Sequence, residues 1–436
     1  MQRLHRNKLS IPRFKEQIMQ RYKKYKNSDI EWIGEIPEHW EVKKLKYVLN
    51  IGSGEGIKSE AIKDIGDFPV YGGNGIVGYA TKHNNNDKVF IIGRVGAKCG
   101  NVRLVSGEKW ISDNALYAYS KGNLDFIKYC LIYKDFNKLA NKNAQPLITS
   151  TMIKEESTFY PPLYEQTVIA NYLDLKTADI DQLITQKERL LSLYEEEKTA
   201  IINHAVTKGI DPKVKLKDSG VDWLGKIPEH WEVKKLKYFI FKAGSGITPR
   251  GGASVYQLKG IPLLRSQNIH FEGLRLDDVA YITHETHDEM SNSKVFSGDV
   301  LLNITGASIG RCYYVTDCLG EANVNQHVCI LRPMSIISTK FLYFIIRSNL
   351  GQEQISFEQT GSGREGLNFE ALKNFLIPSI EVDEQTAIVH HIETETICIN
   401  AEINKTKKII ALQKEYRTAL ISEVVTGKIK VTEELK

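Results

Sequence analysis

The sequence feature that most constrains the fold is an internal repeat. Residues 28–47 and 219–238 are identical at 15 of 20 positions, at a constant offset of 191. A second, weaker repeat aligns residues 165–210 with residues 384–429 without gaps, and 15 of its 46 positions are identical. Self-similarity on this scale indicates two copies of one structural plan. Each copy has an initial segment containing IPEHW, a divergent middle segment and a shared closing segment.

The two closing segments are predicted to be long helices. Apolar residues recur at three- and four-residue steps from Ile180 to Ile201 and from Ile399 to Val424, and most charged residues lie off that stripe. The first glycines to follow are Gly209 and Gly427, which are helix stop signals. About 45 residues at ~1.5 Å each give a rod of about 65 Å. Two such rods with apolar seams should pack as a coiled-coil pair, although each could instead lie on its own domain.

The divergent middle segments, residues 48–160 and 239–378, are predicted to be β-rich. Turn clusters rich in Gly and Asn alternate there with β-branched apolar runs. The fold class is therefore α+β, with two β-rich globular domains and two long helices. The predicted boundaries are a basic N-terminal segment 1–27, a first globular domain 28–160, a central helical spacer 161–210, a linker with the second globular domain 211–378, and a C-terminal helical spacer 379–436.

Composition places the chain among ordinary globular proteins. Of its 436 residues, 42% are hydrophobic and 25% are charged. No apolar run approaches the ~18–20 residues of a membrane span, so we expect no membrane partner. The six cysteines include no C-x-x-C pair. Scattered thiols of this kind are typical of a reduced, cytoplasmic protein.

The charge is unevenly distributed. The net charge is +5, and residues 1–27 alone contribute +8 through nine Lys and Arg and one Glu, so the remaining residues carry −3. A basic segment suits a polyanion partner, although it could equally be a solvated tail. If the rest of the chain binds nucleic acid, it must do so through local patches.

Motifs for common enzyme classes are missing. The stretch from Gly52 to Ser59 (GSGEGIKS) approaches a phosphate-binding P-loop, but Ile57 separates the second required glycine from Lys58. The sequence contains no H-E-x-x-H and no paired Cys/His metal spacing. We therefore predict no catalytic residue, no bound cofactor and no metal site in this chain.

Side chains suited to reading nucleic acid cluster in the polar loops of both middle segments. Arg can bridge guanine O6 and N7, and Asn or Gln can pair with adenine N6 and N7. A surface Asn is more often a turn former, so the interpretation depends on clustering in two duplicated modules. The candidate DNA-binding residues are Asn74, Asn84, Asn85, Arg94, Lys98 and Asn101 in the first copy, and Arg265, Ser266, Gln267, Asn268, Thr305, Ser308, Arg311, Asn325, Gln326, Arg364 and Asn368 in the second.

These motifs together resemble a known family. Both copies carry W-x-G-x-I-P-x-H-W-x-V-x-x-L-K, and both long helices begin with E-Q-T-x-I and end near a T-x-x-I or T-G-x-I pattern. That family's recognition domains are also similar in their glycine patterns, which this chain has from Tyr71 to Tyr79, from Gly93 to Ala97 and from Gly298 to Gly310. The chain is similar, over about residues 28–430, to the specificity subunit of type I restriction–modification systems.

The resemblance implies two target-recognition domains separated by two antiparallel conserved helices and related by a pseudo-twofold axis. Each domain would read one half of a split site in double-stranded DNA, and the helix pair would fix the unread spacer. A rod of about 65 Å matches about two turns of B-DNA at ~34 Å each. The resemblance implies methylase contacts along the helices and the IPEHW segments. We favour a packing role for the repeated tryptophans Trp32, Trp40, Trp223 and Trp231, which would hold each domain on the helix base.

The resemblance also implies a non-catalytic subunit that recruits two modification (methylase) subunits and two ATP-dependent restriction subunits. S-adenosylmethionine, ATP and Mg²⁺ would then belong to those partners. The alternative that stays open is a duplicated protein-binding scaffold without base-specific DNA readout, which the acidic body of the chain allows.

Overall fold

The structure is a computed structural model, and it divides into two compact units. It describes residues 20–30, 33–96, 98–140, 146–221, 223–362 and 366–432. Unit 1 comprises residues 1–187 and 408–436, and unit 2 comprises residues 188–407. Both divisions fall inside the long helices, so each unit contains one β-rich domain and part of each helix.

Unit 1 is built on a four-stranded antiparallel sheet and a three-stranded sheet. Its elements in chain order are β1 Tyr25–Asn27, β2 Glu35–Pro37, β3 Glu41–Lys44, α1 Leu45–Val48, β4 Leu49–Ser53, β5 Phe68–Gly72, β6 Gly75–Ala80, β7 Val89–Gly93, β8 Val102–Val105, β9 Trp110–Ile111, β10 Ala115–Ser120, α2 Leu124–Lys134, α3 Ser150–Glu155, β11 Ser157–Tyr160 and the first part of α4 Leu163–Lys208. The four-stranded sheet has the order β4-β10-β7-β8, and the three-stranded sheet has the order β6-β5-β9. Strand β7 is buried along its whole length, which explains its unbroken apolar run.

Unit 2 repeats this plan with longer loops. Its elements are β12 Leu216–Asp218, β13 Lys226–Pro228, β14 Glu232–Lys235, β15 Ile240–Ser245, β16 Ile261–Leu264, β17 Ile269–His270, β18 Gly273–Leu274, β19 Ala280–Ile282, α5 His284–Glu289, β20 Lys294–Val295, β21 Val300–Asn303, β22 Cys312–Tyr314, β23 Ala322–Val324, β24 Val328–Pro333, α6 Thr339–Arg347, α7 Asn349–Ser362, α8 Phe369–Lys373, β25 Leu376–Ser379 and α9 Val382–Val425, whose last part lies in unit 1. Its two large sheets have the orders β15-β24-β21-β22 and β19-β16-β23-β20.

The sheets of the two units correspond, except that unit 2 has the additional strand β20 at the edge of its second sheet. The order β4-β10-β7-β8 matches β15-β24-β21-β22, and the parallel pair β5–β9 matches the parallel pair β16–β23. The duplication therefore extends through the middle segments, where the two sequences show no comparable identity. The predicted α+β class, with two β-rich domains and two long helices, is confirmed.

In unit 1 the two long helices run antiparallel. At the start of α4, Glu165 accepts a hydrogen bond of 3.0 Å from the indole N–H of Trp40. Gly427, just past the end of α9, lies against the same Trp40 ring. Further along the pair, Arg417 of α9 donates to Asp181 of α4 at 2.9 Å. The chain direction of α4 in this pair is therefore opposite to that of α9.

In unit 2 the same arrangement recurs with the helices exchanged. At the start of α9, Glu384 accepts a hydrogen bond of 3.0 Å from the indole of Trp231. Gly209, just past the end of α4, lies against that ring. Lys198 of α4 donates to Asn400 of α9 at 2.8 Å. Within the described ranges, no helix is both apolar enough and long enough for a membrane span.

Candidate nucleic-acid interface

The loop between β21 and β22, residues 303–311, forms the centre of the candidate site in unit 2. The Asn303 N–H donates to the Arg311 carbonyl at 2.8 Å, and the Gly310 N–H donates back to the Asn303 carbonyl at 2.9 Å. Gly310 has a φ of +87°, a conformation that favours glycine. The buried Asn303 side chain donates to the Ser266 carbonyl at 2.8 Å and to Ser308 Oγ at 3.1 Å. These bonds fix the loop against the turn after β16.

A pocket of about 440 Å³ opens between these two segments. The half-buried Arg311 lines this pocket. Its guanidinium makes no hydrogen bond to any residue that the structure describes. On another wall, Thr305 Oγ1 lies 2.6 Å from His327 Nδ1. The pocket lining contains five of the predicted residues together with three further ones: Ser266, Gln267, Thr305, Ser308 and Arg311, with Gly306, Ala307 and His327.

His327 is a polar pocket residue that the sequence prediction missed. It follows Asn325 and Gln326 in the turn between β23 and β24. The buried Asn325 side chain accepts a hydrogen bond of 3.1 Å from the His327 N–H, which holds the turn. Gln326 is exposed, its Nε2 lies 3.0 Å from His327 Nε2, and its Oε1 accepts from Thr248 Oγ1 at 2.6 Å. A signal was present in the sequence, since His327 adjoins two predicted residues.

Three predicted residues of unit 2 hold the scaffold instead of facing the pocket. Asn268 is 1% exposed, and its amide bonds the backbone of Arg265 at 2.9 Å and of Arg275 at 2.8 Å. The guanidinium of Arg265 donates to the Asp278 carbonyl at 3.2 Å. Asn368 caps helix α8. The remaining candidate, Arg364, lies outside the described residues.

In unit 1 the loop between β7 and β8, residues 93–101, has the same backbone hydrogen bonds. The Gly93 N–H donates to the Asn101 carbonyl at 3.0 Å, and the Gly100 N–H donates back to the Gly93 carbonyl at 2.8 Å. Gly100 has a φ of +89°, as Gly310 has one of +87°. The next carbonyl in each loop also accepts an equivalent hydrogen bond. The Arg94 carbonyl accepts from the Ile148 N–H at 2.9 Å in unit 1, and the Ile304 carbonyl accepts from the Leu367 N–H at 2.8 Å in unit 2. In its described residues, 93–96 and 98–101, the first loop thus has the same backbone hydrogen bonds as the second.

This correspondence pairs the residues of the two sites. Lys98 and Asn101, both predicted, occupy the positions of Ser308 and Arg311, since the same backbone bonds surround them. The positions of Thr305 and His327 are taken by Val95 and Asn114, which the sequence prediction did not include. Lys98 and Asn114 are exposed, and Asn101 Oδ1 accepts a hydrogen bond of 3.2 Å from Asn137.

The other predicted residues of unit 1 divide into exposed and structural groups. Asn74 is exposed. Arg94 donates to Ser53 Oγ and to the Asp113 carbonyl, both at 3.3 Å, which ties the loop to its neighbours. The Asn84 amide bonds both backbone groups of Ile111, and the Asn85 amide donates to the Tyr119 hydroxyl at 2.8 Å. Both asparagines therefore brace a turn.

The site offers no activated nucleophile or metal centre in the part of the chain that the structure describes. The thiol of Cys312, next to Arg311, is fully buried, and burial raises its pKa to about 12. It is therefore a neutral thiol at pH 7. Among the same described residues, no three His, Cys, Asp or Glu side chains come together in a way that could hold a metal ion.

Comparison with known proteins gives consistent matches. The family model described as the type I restriction modification DNA specificity domain matches residues 37–192 and 228–413. The type I restriction enzyme MjaVIII specificity subunit of Methanocaldococcus jannaschii is 23% identical, over 95% of this chain and 98% of that protein. The EcoprrI specificity subunit of Escherichia coli is 30% identical, over 37% of this chain and 41% of that protein.

A solved structure shares the fold. It comes from work on complex assembly and conformational transition of the type I restriction–modification system, and it aligns with 89% of this chain and 98% of its own. The TM-score is 0.66 at 13% sequence identity.

Proposed function

Because the chain belongs to the type I restriction modification DNA specificity family, we propose that it reads a bipartite DNA sequence through the two equivalent loops, residues 93–101 and 303–311. It is a non-catalytic specificity subunit of a type I system. The observation that carries the proposal is that one loop backbone recurs in both units with different side chains on it. A constant backbone with variable side chains suits two modules that read different bases.

The side chains at the unit 2 pocket fit the edges of bases. Arg311 offers a guanidinium fork for guanine O6 and N7, and Gln267 offers the donor and acceptor that adenine requires. Thr305 and His327 add a hydroxyl and a ring nitrogen on the opposite wall. In unit 1, Lys98 and Asn114 present an ammonium group and an amide from the corresponding loop and turn. Each good base contact contributes about 1–3 kcal/mol of discrimination.

The partners follow from the same proposal. We expect two modification subunits and two restriction subunits to bind this chain, with S-adenosylmethionine, ATP and Mg²⁺ held by those subunits. A base to be methylated has to leave the helix stack and enter the methylase pocket. This subunit then needs only to hold the duplex at the correct sequence.

The test is to express the chain with its methylase subunit and map N6-methyladenine across the host genome. The expected result is one split motif, with two short blocks around a fixed spacer. The double variant Thr305→Val, His327→Asn places on unit 2 the residues that unit 1 already carries at those positions, so the backbone should accept it. We expect it to change one block of the motif and leave the other block unchanged.

Two outcomes would count against the proposal. A stable complex that methylates no motif would favour a protein-binding scaffold, and an unsplit motif would exclude two separate reading modules. Lys259→Gln, at an exposed position that lines neither pocket of unit 2 described in this article, serves as the control and should leave the motif unchanged.

A further inference from the structure

A second pocket in unit 2, also of about 440 Å³, adjoins the pocket that faces the bases. Thr199 of helix α4 lines one side of it, and His270 and Arg275 of the β17–β18 hairpin line another. Arg347, at the end of α6, also lines it. Arg311 lines both this pocket and the first one. A molecule that occupies both pockets would therefore be in contact with one shared guanidinium.

The charge of the second pocket is positive on balance. Its lining contains three arginines and two glutamates. One of the glutamates, Glu272, is already neutralised, since it accepts from Lys198 at 2.8 Å and from Arg347 at 2.6 Å. The other, Glu195, lines the pocket together with two arginines that make no side-chain hydrogen bond to any described residue, Arg275 and Arg311. These two guanidinium groups are available to an anion.

We propose that this second pocket binds a backbone phosphate of the DNA strand whose bases lie against the first pocket. This inference rests on the proposed function and adds a ligand class and residues to it. Arg275 supplies charged N–H donors, and Arg311 adds those of its five N–H groups that a bidentate contact with guanine leaves free. The Thr199 hydroxyl, which donates to the Glu195 carbonyl within the helix, marks the α4 wall of the site. A phosphate bound here lies beside helix α4, so the contact positions the duplex without reading sequence.

A phosphate contact differs from a base contact in what its loss changes. It lowers the affinity for every DNA sequence alike and reduces the number of counterions released on binding. A base contact, by contrast, lowers the affinity mainly for the specific site. The salt dependence of binding separates the two roles.

The test is the variant Arg275→Gln, because Arg275 is exposed and its side chain holds no described residue in place. The intact chain is titrated, over a range of salt concentrations, against a duplex with the mapped motif and against a scrambled duplex. We expect about a fivefold loss of affinity on both duplexes. The negative slope of log K against log salt concentration should become shallower by about 0.9. Arg275→Lys should restore most of the slope, and Lys259→Gln should leave it unchanged.

Two results would overturn the phosphate site. One is an unchanged salt slope for Arg275→Gln, and the other is a loss confined to the motif duplex, which would make Arg275 a base-reading residue. The proposed function is tested separately by the unmodified chain. If that chain fails to distinguish the two duplexes, sequence reading fails, whereas the slope comparison still decides whether a phosphate binds at Arg275.

Discussion

At the scale of the residue, the duplicated tryptophan–glutamate pair explains why the IPEHW motif recurs. Trp40 and Trp231 are both 0% exposed, and each donates its indole N–H to the glutamate in the first turn of a long helix. The predicted packing role is confirmed for these two tryptophans. Trp223 is 46% exposed and does not share that role, while Trp32 lies outside the described residues.

The pair predicts a matched loss of stability. Trp40→Phe and Trp231→Phe each remove the indole N–H and leave a partly buried carboxylate without this donor, so each should cost about 1–3 kcal/mol of unfolding free energy. Urea unfolding of the intact chain measures the loss. Trp223→Phe, at the exposed position, should change the unfolding free energy by less than about 0.5 kcal/mol. Equal effects at all three positions would contradict a special role for the buried pair.

Residue identity alone did not separate the asparagines that brace turns from the side chains that face the pocket. Asn84 and Asn268 lie in the same kind of Gly- and Asn-rich loop as the exposed Asn74, and only burial and hydrogen bonding in the fold distinguish them. His327 and Asn114 were missed because their position at the loop depends on strand pairing and not on neighbouring sequence. Each follows a short strand in sequence, and the parallel strand pairing brings it to the loop.

At the scale of the element, a partly buried ionic network joins the β17–β18 hairpin to two helices in unit 2. Lys198 of α4 is buried and donates to Glu272 of the hairpin, which also pairs with Arg347 of α6. Burial acts to raise the pKa of Glu272, but the charges of Arg347 and Lys198 outweigh it, and the pKa is lowered overall. The carboxylate is therefore more stable in the folded chain than in the unfolded one.

This network predicts a pH-dependent contribution to stability. A lowered pKa stabilises the fold at pH values above the unfolded glutamate pKa of about 4.3, and the contribution disappears as the pH falls through the folded pKa. Glu272→Gln should cost about 1 kcal/mol at pH 7, at the low end for a lost charged partner because Glu272 is partly exposed. Unfolding curves from pH 7 to pH 3 should show the difference from the unmodified chain shrinking toward zero. Glu195→Gln, at a glutamate without such partners among the described residues, is the control, and a pH-independent difference would argue against the network.

Each long helix was predictable from its own sequence. The structural equivalence of the two β-rich domains was not predictable from theirs. The apolar stripe and the absence of Gly and Pro are local signals, and α4 and α9 follow them. The correspondence of β7–β8 with β21–β22 is carried by backbone hydrogen bonds that most residue types can make. Sequence identity between the two segments was therefore lost while the geometry was kept.

At the scale of the whole molecule, the chain consists of two units with one plan, and each unit carries one candidate reading loop. Helices α4 and α9 each contribute residues to both units. Because each loop is held by bonds within its own unit, we expect substitutions in one unit to act independently of those in the other.

Reciprocal exchange of equivalent loop residues tests this independence. Lys98→Ser and Ser308→Lys exchange the side chains at one shared loop position, and each should alter base preference in a different block of the methylated motif. Each altered base position should shift the free energy of binding by about 1–3 kcal/mol. The double variant should show both changes together. Genome-wide methylation mapping reads all three variants. A single substitution that alters both blocks would show that the two loops do not read separately.

The loop at residues 303–311 and its counterpart at 93–101 share a set of backbone hydrogen bonds, and this has an evolutionary consequence. The exposed Gln267 side chain at the pocket contributes little to the core, so it can be replaced with little loss of stability. Under the proposed function, a substitution at such a position would change the target sequence of one unit only. The scaffold separates the capacity to fold from the choice of target, so selection can change the target while the fold persists.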